Sequence, residues 1–284
     1  MSEMISTASI RRRQQTARIG LYFLLILGAV LAMLPMVWML SASLMPTGEA
    51  STYPPHFFPS RITFEHYSDL FTRLNLGRNL ANSAFVSFVV TFASLFINSL
   101  AGYAFAKMRF NGRERLFKTL STGLVLPTQV AMLPLFLLLK NMGLINTYWG
   151  VIIPGLSSIF GIFLVRQYAL SIPDEMLDAA RVDGAGEFRI FWSIVVPGIM
   201  PILATLAIWT FLATWNDFMW PLIVLSDASH YTLPVALANL SGEHVQDTEL
   251  MMAGSVLTVI PVMMVFLFLQ RYYIQGVMAG SVKG

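Results

Sequence analysis

The sequence predicts an all-α, polytopic membrane protein with six transmembrane helices, and three observations lead to this fold class. Of its 284 residues, 56% are hydrophobic and 12% are charged, whereas a soluble domain carries about 25% charged residues. The mean hydropathy is +0.67. Six stretches lack Asp, Glu, Lys and Arg, and each provides the roughly 20 residues that a helix needs to cross a ~30 Å hydrocarbon core. These stretches are residues 19–48, 79–106, 119–139, 141–165, 190–216 and 250–270.

An uncleaved first transmembrane helix is predicted over residues 19–40, after an N-terminal segment 1–18. Three arginines at positions 11–13 precede the apolar run, as they would in a secretory signal peptide. A signal-peptide core is only ~7–15 residues long. Because this run continues through Leu40, we expect it to remain in the membrane.

Residues 41–78 are predicted to form an external loop. Pro54, Pro55 and Pro59 interrupt regular structure there. The apolar spacing in residues 64–74 predicts a short amphipathic helix that lies on the surface.

The Lys and Arg residues between the stretches predict the orientation of the chain. Fourteen lie on one side of the membrane and four on the other. Since positively charged loops stay in the cytoplasm, we expect both termini to be cytoplasmic. The basic side comprises residues 1–18, 107–118, 166–189 and the C-terminal tail 271–284.

Several classes of function are excluded by what the sequence lacks. Without cysteine there is no disulfide, thiolate zinc site or iron–sulfur cluster. The H-E-x-x-H, G-x-S-x-G and phosphate-loop motifs are also missing. We therefore expect no enzymatic activity, no metal site and no cofactor bound by this chain. Its basic residues lie beside the spans, so we expect membrane lipid and no nucleic acid as a partner.

An ion-coupled carrier generally buries an ionisable residue within the bilayer, and the six stretches contain no Asp, Glu, Lys, Arg or His. The four histidines (His56, His66, His230 and His244) fall in predicted external loops. Since backbone carbonyls can coordinate Na⁺, a secondary carrier remains an alternative.

Residues 171–197 form the longest and most charged of the predicted cytoplasmic loops and are typical of a helix, a turn and a second helix. Ser171 and Asp174 fit a capping box at the first helix start. Gly184 is suited to the left-handed conformation that ends a helix, and a second helix is predicted to begin near Glu187. Helix physics alone leaves open an amphipathic hairpin that rests on lipid headgroups.

The residue pattern of this loop resembles the coupling loop of binding-protein-dependent ABC importer permeases. That signature is E-A-A, three residues, G, nine residues, I, one residue and L-P. The matching residues are Asp178, Ala179, Ala180, Gly184, Ile194, Val196 and Pro197, with Asp178 in place of Glu and Val196 in place of Leu. The resemblance implies a type I ABC importer permease fold and a segment, residues 174–189, that docks on an ATPase. The coupling residues that it implies are Asp178, Ala179, Ala180, Asp183, Gly184, Ala185, Ile194 and Pro197.

Three further segments resemble the second permease subunit of maltose-type carbohydrate importers. They are residues 180–185, 215–222 and the tail 276–284. The resemblance implies a permease core over residues 75–270, located in a bacterial plasma (inner) membrane. It also implies four partner chains: a second permease in a heterodimer, two ATPase subunits, which use ATP and Mg, and an external solute-binding protein.

The expected cargo is a mono- or oligosaccharide that crosses by alternating access. Sugar rings pack on aromatic side chains and pair with amides and carboxylates. Candidate residues for the substrate path are Gln129, Trp209, Trp215, Asn216 and Asp217. Alternatively, the tryptophans mark the membrane interface and Asn216 and Asp217 cap a helix. The same architecture with glycerol phosphate, an amino acid or an opine as cargo is a further alternative.

Overall fold

The computed structural model describes residues 2–54, 56–243 and 247–281, and over these ranges the regular structure is entirely helical. Fourteen α-helices are numbered in chain order. They are α1 (Ser2–Ala42), α2 (Glu65–Thr72), α3 (Leu76–Lys107), α4 (Arg113–Thr122), α5 (Met132–Asn141), α6 (Tyr148–Gly155), α7 (Ile159–Ala169), α8 (Asp174–Val182), α9 (Glu187–Ile190), α10 (Val196–Gly198), α11 (Met200–Trp215), α12 (Met219–Val224), α13 (Leu233–Glu243) and α14 (Thr248–Ser281). The chain divides into two compact units, Met1–Arg73 with Glu243–Leu257, and Leu74–Gly242 with Thr258–Gly284.

The first unit is organised around the end of α1 and the loop that follows. Met45 is fully buried, and its carbonyl lies 2.9 Å from Nε2 of His66 on α2. The segment predicted as an amphipathic helix contains α2, which buries His66 and Leu70. Glu249, near the start of α14, is also buried and accepts a 2.7 Å hydrogen bond from the backbone N–H of Ala50. These contacts hold the loop after α1 on its neighbours.

The second unit is built around α3, which packs against α6, α7 and α11. A close approach between α3 and α7 requires glycine at position 102, since a Cβ there would lie 2.5 Å from Cγ1 of Val165. One buried cluster joins α3 and α7 to the 172–199 segment through residues such as Tyr103, Leu177 and Phe191. The large side chains of this cluster therefore pack the predicted coupling loop directly onto α3 and α7.

The prediction of an all-α, polytopic membrane protein is confirmed, and the described residues contain four candidate spans and two sharply bent helix pairs. The four are Ala17–Ala42, Leu76–Lys107, Tyr148–Ala169 and Thr248–Phe268. The bent pairs are Arg113–Val125 with Thr128–Asn141, at 99°, and Glu187–Gly198 with Met200–Trp215, at 80°. Counting each pair as one span gives six.

The charge-free stretches and the helices do not coincide at every end. The stretch 119–139 is broken before Pro127, where Leu126 is extended because a residue before proline disfavours the helical region. The stretch 141–165 becomes a span that begins only at Tyr148. The fifth span bends near Ile199, between Pro197 and Pro201, because neither proline can donate a helical hydrogen bond.

Candidate functional site

The predicted coupling loop forms a helical hairpin over residues 171–197, and its first helix is α8. The capping box predicted for Ser171 does not form, which corrects the sequence interpretation. Pro173 occupies the N-cap position, so Ser171 lies too early in the chain, and its Oγ donates to the carbonyl of Tyr168 instead. Asp174 faces Lys107 of α3, with 2.6 Å between its Oδ1 and Nζ.

The turn of the hairpin is the one that the sequence predicts. Gly184 has a φ of +81°, in the region that favours glycine. The N–H of Ala185 donates to the carbonyl of Ala180 at 2.9 Å, and that of Gly184 donates to Arg181 at 3.0 Å. This pair of bonds is a Schellman motif, which satisfies the carbonyls at the helix end. The turn leaves Ala179 and Asp183 exposed.

The second half of the hairpin contains α9, a π-helical turn Phe191–Val195 and α10. Ile190, Phe191 and Val195 are buried in the same cluster as Leu177 of α8. Ile194 is partly buried against this cluster, and Pro197 is exposed. Both halves of the hairpin therefore share one apolar core with α3 and α7.

Charged side chains link the two halves of the hairpin. Arg181 of α8 donates from Nη1 to Asp178 at 2.7 Å and from Nε to Glu187 at 2.8 Å. These carboxylates raise the pKa of Arg181 above its usual range. The pKa of Asp174 is lowered, first by the hydrogen bond from Lys107 and then by its charge. Tyr103 of α3 donates from its hydroxyl to Oε2 of Glu187 at 2.6 Å. We call the set Tyr103, Lys107, Asp174, Arg181 and Glu187 the coupling network.

A polar groove of about 1440 Å³ runs beside α8, next to the turn between α3 and α4. Side chains of both charges line it, including Arg109, Arg113, Glu114 and Asp178. Charged side chains predominate among its lining residues.

The five predicted substrate-path residues have very different surroundings. Gln129 is exposed in a 3₁₀ turn at the break between α4 and α5. Trp209 on α11 is 63% exposed, with its ring 6.1 Å from that of Phe160. Trp215 is buried, and its indole N–H donates to the carbonyl of Thr258 at 3.1 Å. This internal contact occupies the only hydrogen-bond donor of its side chain.

The other two residues make the helix-end contacts of the alternative interpretation. Asn216 donates from Nδ2 to the carbonyl of Leu212 in its own helix, at 2.9 Å. Asp217 accepts a 3.3 Å hydrogen bond from the backbone N–H of Trp220. Burial raises the pKa of Asp217. Both side chains thus shape the turn between α11 and α12.

The sequence interpretation missed a buried polar stripe along α3. Its signal was visible, since small polar residues recur every three or four positions, as on one face of a helix. The buried members are Asn79, Asn82, Ser83, Ser87, Thr91, Ser94, Asn98 and Ser99.

At the start of α3 this stripe holds a loop. Asn79 donates from Nδ2 to the carbonyl of Tyr231 at 3.0 Å, and Asn82 donates to Ser229 and Tyr231, each at 3.0 Å. From a neighbouring loop, Oδ1 of Asn146 accepts 3.0 Å bonds from two consecutive backbone N–H groups, at positions 226 and 227. We call Asn79, Asn82 and Asn146 the amide clamp.

Comparisons with known proteins agree with this architecture. The family model described as "Binding-protein-dependent transport system inner membrane component" matches residues 98–278. The arabinooligosaccharides transport system permease protein AraQ of Halalkalibacterium halodurans is 38% identical over 259 residues, covering 90% of this chain and 93% of the relative. The lactose transport system permease protein LacG of Rhizobium radiobacter is 32% identical over 271 residues, covering 95% and 98%.

A solved structure has the same fold. One chain of a bacterial ABC transporter involved in the import of the acidic polysaccharide alginate matches with a TM-score of 0.81 and 25% identity, covering 92% of this chain and 98% of that chain. The resemblance inferred from the coupling-loop motif is thereby confirmed. The family membership also excludes the secondary-carrier alternative. The chain belongs to the binding-protein-dependent transport system inner membrane components, and it is a multi-pass permease subunit of an ABC importer in the inner membrane.

Proposed function

We propose that this permease imports a sugar, delivered by an external solute-binding protein and driven by a separate ATPase. The proposal rests on the hairpin 171–197, whose two helical halves pack in one apolar core with α3 and α7. Relatives named for arabinooligosaccharides and lactose support a carbohydrate cargo. ATP and Mg are used by the partner chains, and this subunit supplies part of the translocation path.

The exposed side of α8 is the proposed ATPase contact. Leu177 anchors the helix in the core, while Met176 and Val182 are 52% and 88% exposed. Exposed apolar side chains outside the spans are candidates for a protein contact, and Ala179, three residues from each of these two, adds little bulk. With both termini in the cytoplasm, as the loop charges predict, this surface faces the two ATPase subunits.

A second permease completes the proposed path. Residues at and after the break between α4 and α5 present exposed apolar side chains, including Val125, Leu126, Val130 and Leu133. Broken spans are where transporters place polar groups for a substrate near the bilayer midplane. Gln129 lies at this break, and we propose that it and Trp209 face the path, whereas Asn216 and Asp217 shape its end.

A neutral sugar fits the charge distribution better than a phosphorylated solute does. Binding a phosphate favours Arg or Lys beside the path. The six charge-free stretches place no such residue inside a predicted span. Glycerol phosphate, an amino acid or an opine therefore remains the second choice of cargo.

The first experiment is to purify the tagged protein from its native membrane in mild detergent and to identify its partners by mass spectrometry. We expect an ATPase and a second six-span permease to co-purify, and the binding protein can then be screened against sugars. Recovery of the intact chain alone, from a preparation in which a known complex survives, would overturn the proposal.

Cross-linking then locates the contact, because the chain has no native cysteine. Ala179→Cys is expected to cross-link to the ATPase. Ala228→Cys, at an exposed position in the loop held by the amide clamp, is the matched control and is expected not to. Equal cross-linking of both to the ATPase would contradict the proposed orientation.

A further inference from the structure

Two polar links tie the hairpin 171–197 to the end of α3. The hydroxyl of Tyr103 donates to Oε2 of Glu187 at 2.6 Å. Nζ of Lys107 donates to Oδ1 of Asp174 and to the carbonyl of Ile172, each at 2.6 Å. Because Tyr103 and Lys107 are four residues apart, they lie on the same face of α3. One link therefore reaches each half of the hairpin.

The two links differ in how firmly they are held. The side chain of Asp174 is 73% exposed, so water competes for its bond with Lys107. Tyr103 is 1% exposed, and its ring lies 5.9 Å from that of buried Phe191. The tyrosine hydroxyl is thus a polar tip on a fixed, fully packed ring.

Glu187 connects three elements through one carboxylate. Its Oε2 accepts from Tyr103 of α3, and its Oε1 accepts from Nε of Arg181 in α8. Hydrogen bonds to an ionised group are stronger than those between neutral groups. The carboxylate therefore joins α3, α8 and α9 at one point, beside the Schellman turn at Gly184.

We propose that Tyr103 is a positioning residue for transport, which makes α3 follow the hairpin when the ATPase moves it. This inference rests on the proposed function. The apolar ring packs α3 against the hairpin, and the hydroxyl fixes their register through Glu187. Without the hydroxyl the helices stay packed, but α8 can shift relative to α3, so that part of the ATP-driven movement no longer reaches the membrane helices.

The test is Tyr103→Phe in the complete transporter, reconstituted in liposomes with its binding protein. The substitution removes one oxygen and keeps the buried ring. We expect sugar uptake to fall about tenfold, the size expected for losing one hydrogen bond to a charged group. ATP hydrolysis stimulated by the loaded binding protein should stay within about twofold. The number of ATP molecules hydrolysed per sugar therefore rises.

Two further variants make the result specific. Tyr22→Phe removes the same oxygen from an exposed tyrosine of α1 and is expected to leave the ratio unchanged. Glu187→Gln is expected to raise the ratio, and adding Tyr103→Phe to it should cause little further change, since both act through one contact.

The ratio of ATP molecules hydrolysed to sugar molecules imported separates the possible outcomes. An unchanged ratio in Tyr103→Phe, whether uptake is normal or falls together with hydrolysis, overturns the positioning role. If the wild-type transporter shows no ATP-dependent uptake, the proposed function itself has failed, and the ratio is then undefined for every variant.

Discussion

The two ends of α3 are held to their neighbours by different chemistry. At its start, the amide clamp binds backbone groups of the segment 226–231 with uncharged side chains. At its other end, Tyr103 and Lys107 donate to the carboxylates of Glu187 and Asp174 in the hairpin. Both ends belong to the same compact unit, so the difference is local and not a property of separate domains.

The side chains that form the polar contacts at the two ends of α3 also differ in burial. Asn79 and Asn82 are 6% and 7% exposed, and the oxygen of Asn82 accepts from the hydroxyl of Tyr148 at 2.8 Å. In the network, Tyr103 and Lys107 of α3 are also buried, but the side chains of Arg181 and Glu187 in the hairpin are 36% and 44% exposed. A buried amide with all its partners is costly to release, whereas partly exposed charges exchange partners with water and salt. We infer that the polar partners of α3 are shielded from water at its start and reached by water at its other end.

The largest effect is expected from breaking the turn of the hairpin. Gly184→Pro cannot adopt a φ of +81° and removes the N–H that donates to Arg181. The strain is about 3 kcal/mol or more, so we expect ATP-driven uptake to fall by roughly a hundredfold or more. The spans remain inserted, which membrane fractionation checks.

Gly184→Ala keeps the N–H, at a cost of about 1–2 kcal/mol, and should retain measurable uptake. Normal uptake in Gly184→Pro would remove the coupling role of this turn.

The second-largest effect is expected at the start of α3, which the amide clamp joins to the segment 226–231. Asn82→Ala removes the bonds to Ser229 and Tyr231 and leaves the hydroxyl of Tyr148 without its partner. We expect a loss of about 1–3 kcal/mol, measured as a lower unfolding temperature of the purified complex. Hydrogen exchange should become faster at residues 226–233 and stay unchanged in the hairpin.

Asn216→Ala, an exposed amide bonded within its own helix, is the control with almost no effect. Faster exchange in the hairpin of Asn82→Ala would show that the two ends are not independent.

The smallest effect is expected at the exposed link of the network. Asp174→Asn removes the charge that faces Lys107, and we expect uptake to change by less than about threefold, because exposed ion pairs contribute little. Raising the salt concentration should remove most of the difference between this variant and the wild type. A larger loss that persists at high salt would mean that the link to Asp174 carries the coupling, and not the one to Glu187.

The pH dependence of this link has a definite sign. The pKa of Asp174 is lowered by Lys107, so the stabilisation is present above the usual carboxyl pKa and is lost as the pH falls through the lowered value. We therefore expect hydrogen exchange at the start of α8, corrected for its intrinsic pH dependence, to be the same at pH 6 and pH 8. The three asparagines of the amide clamp carry no charge and do not titrate. Loss of protection at α8 between these two pH values would contradict this assignment.

Much of the site was predictable where the signal is local. Gly184 marks the turn because few other residues adopt its backbone conformation, and the pattern from Asp178 to Pro197 identified the family. The capping role of Ser171 was wrong because Pro173, two residues later, took the N-cap position. The amide clamp was missed because asparagines in an apolar stretch say nothing about which loop carbonyls they meet.

The order of residues along the chain was sufficient to predict that this protein lies in a membrane and to predict its family. Long charge-free stretches cross a bilayer as helices, which bond their own backbone groups where lipid offers no partner, and a motif of fixed spacing identified the family. Folding was needed to bring Tyr103 to Glu187 and Asn82 to Tyr231, pairs separated by 84 and 149 positions along the chain. It also bent two spans at prolines and turned the indole of Trp215 inward. Such contacts depend on how helices pack against each other, and helix packing is set by the shapes of many side chains together.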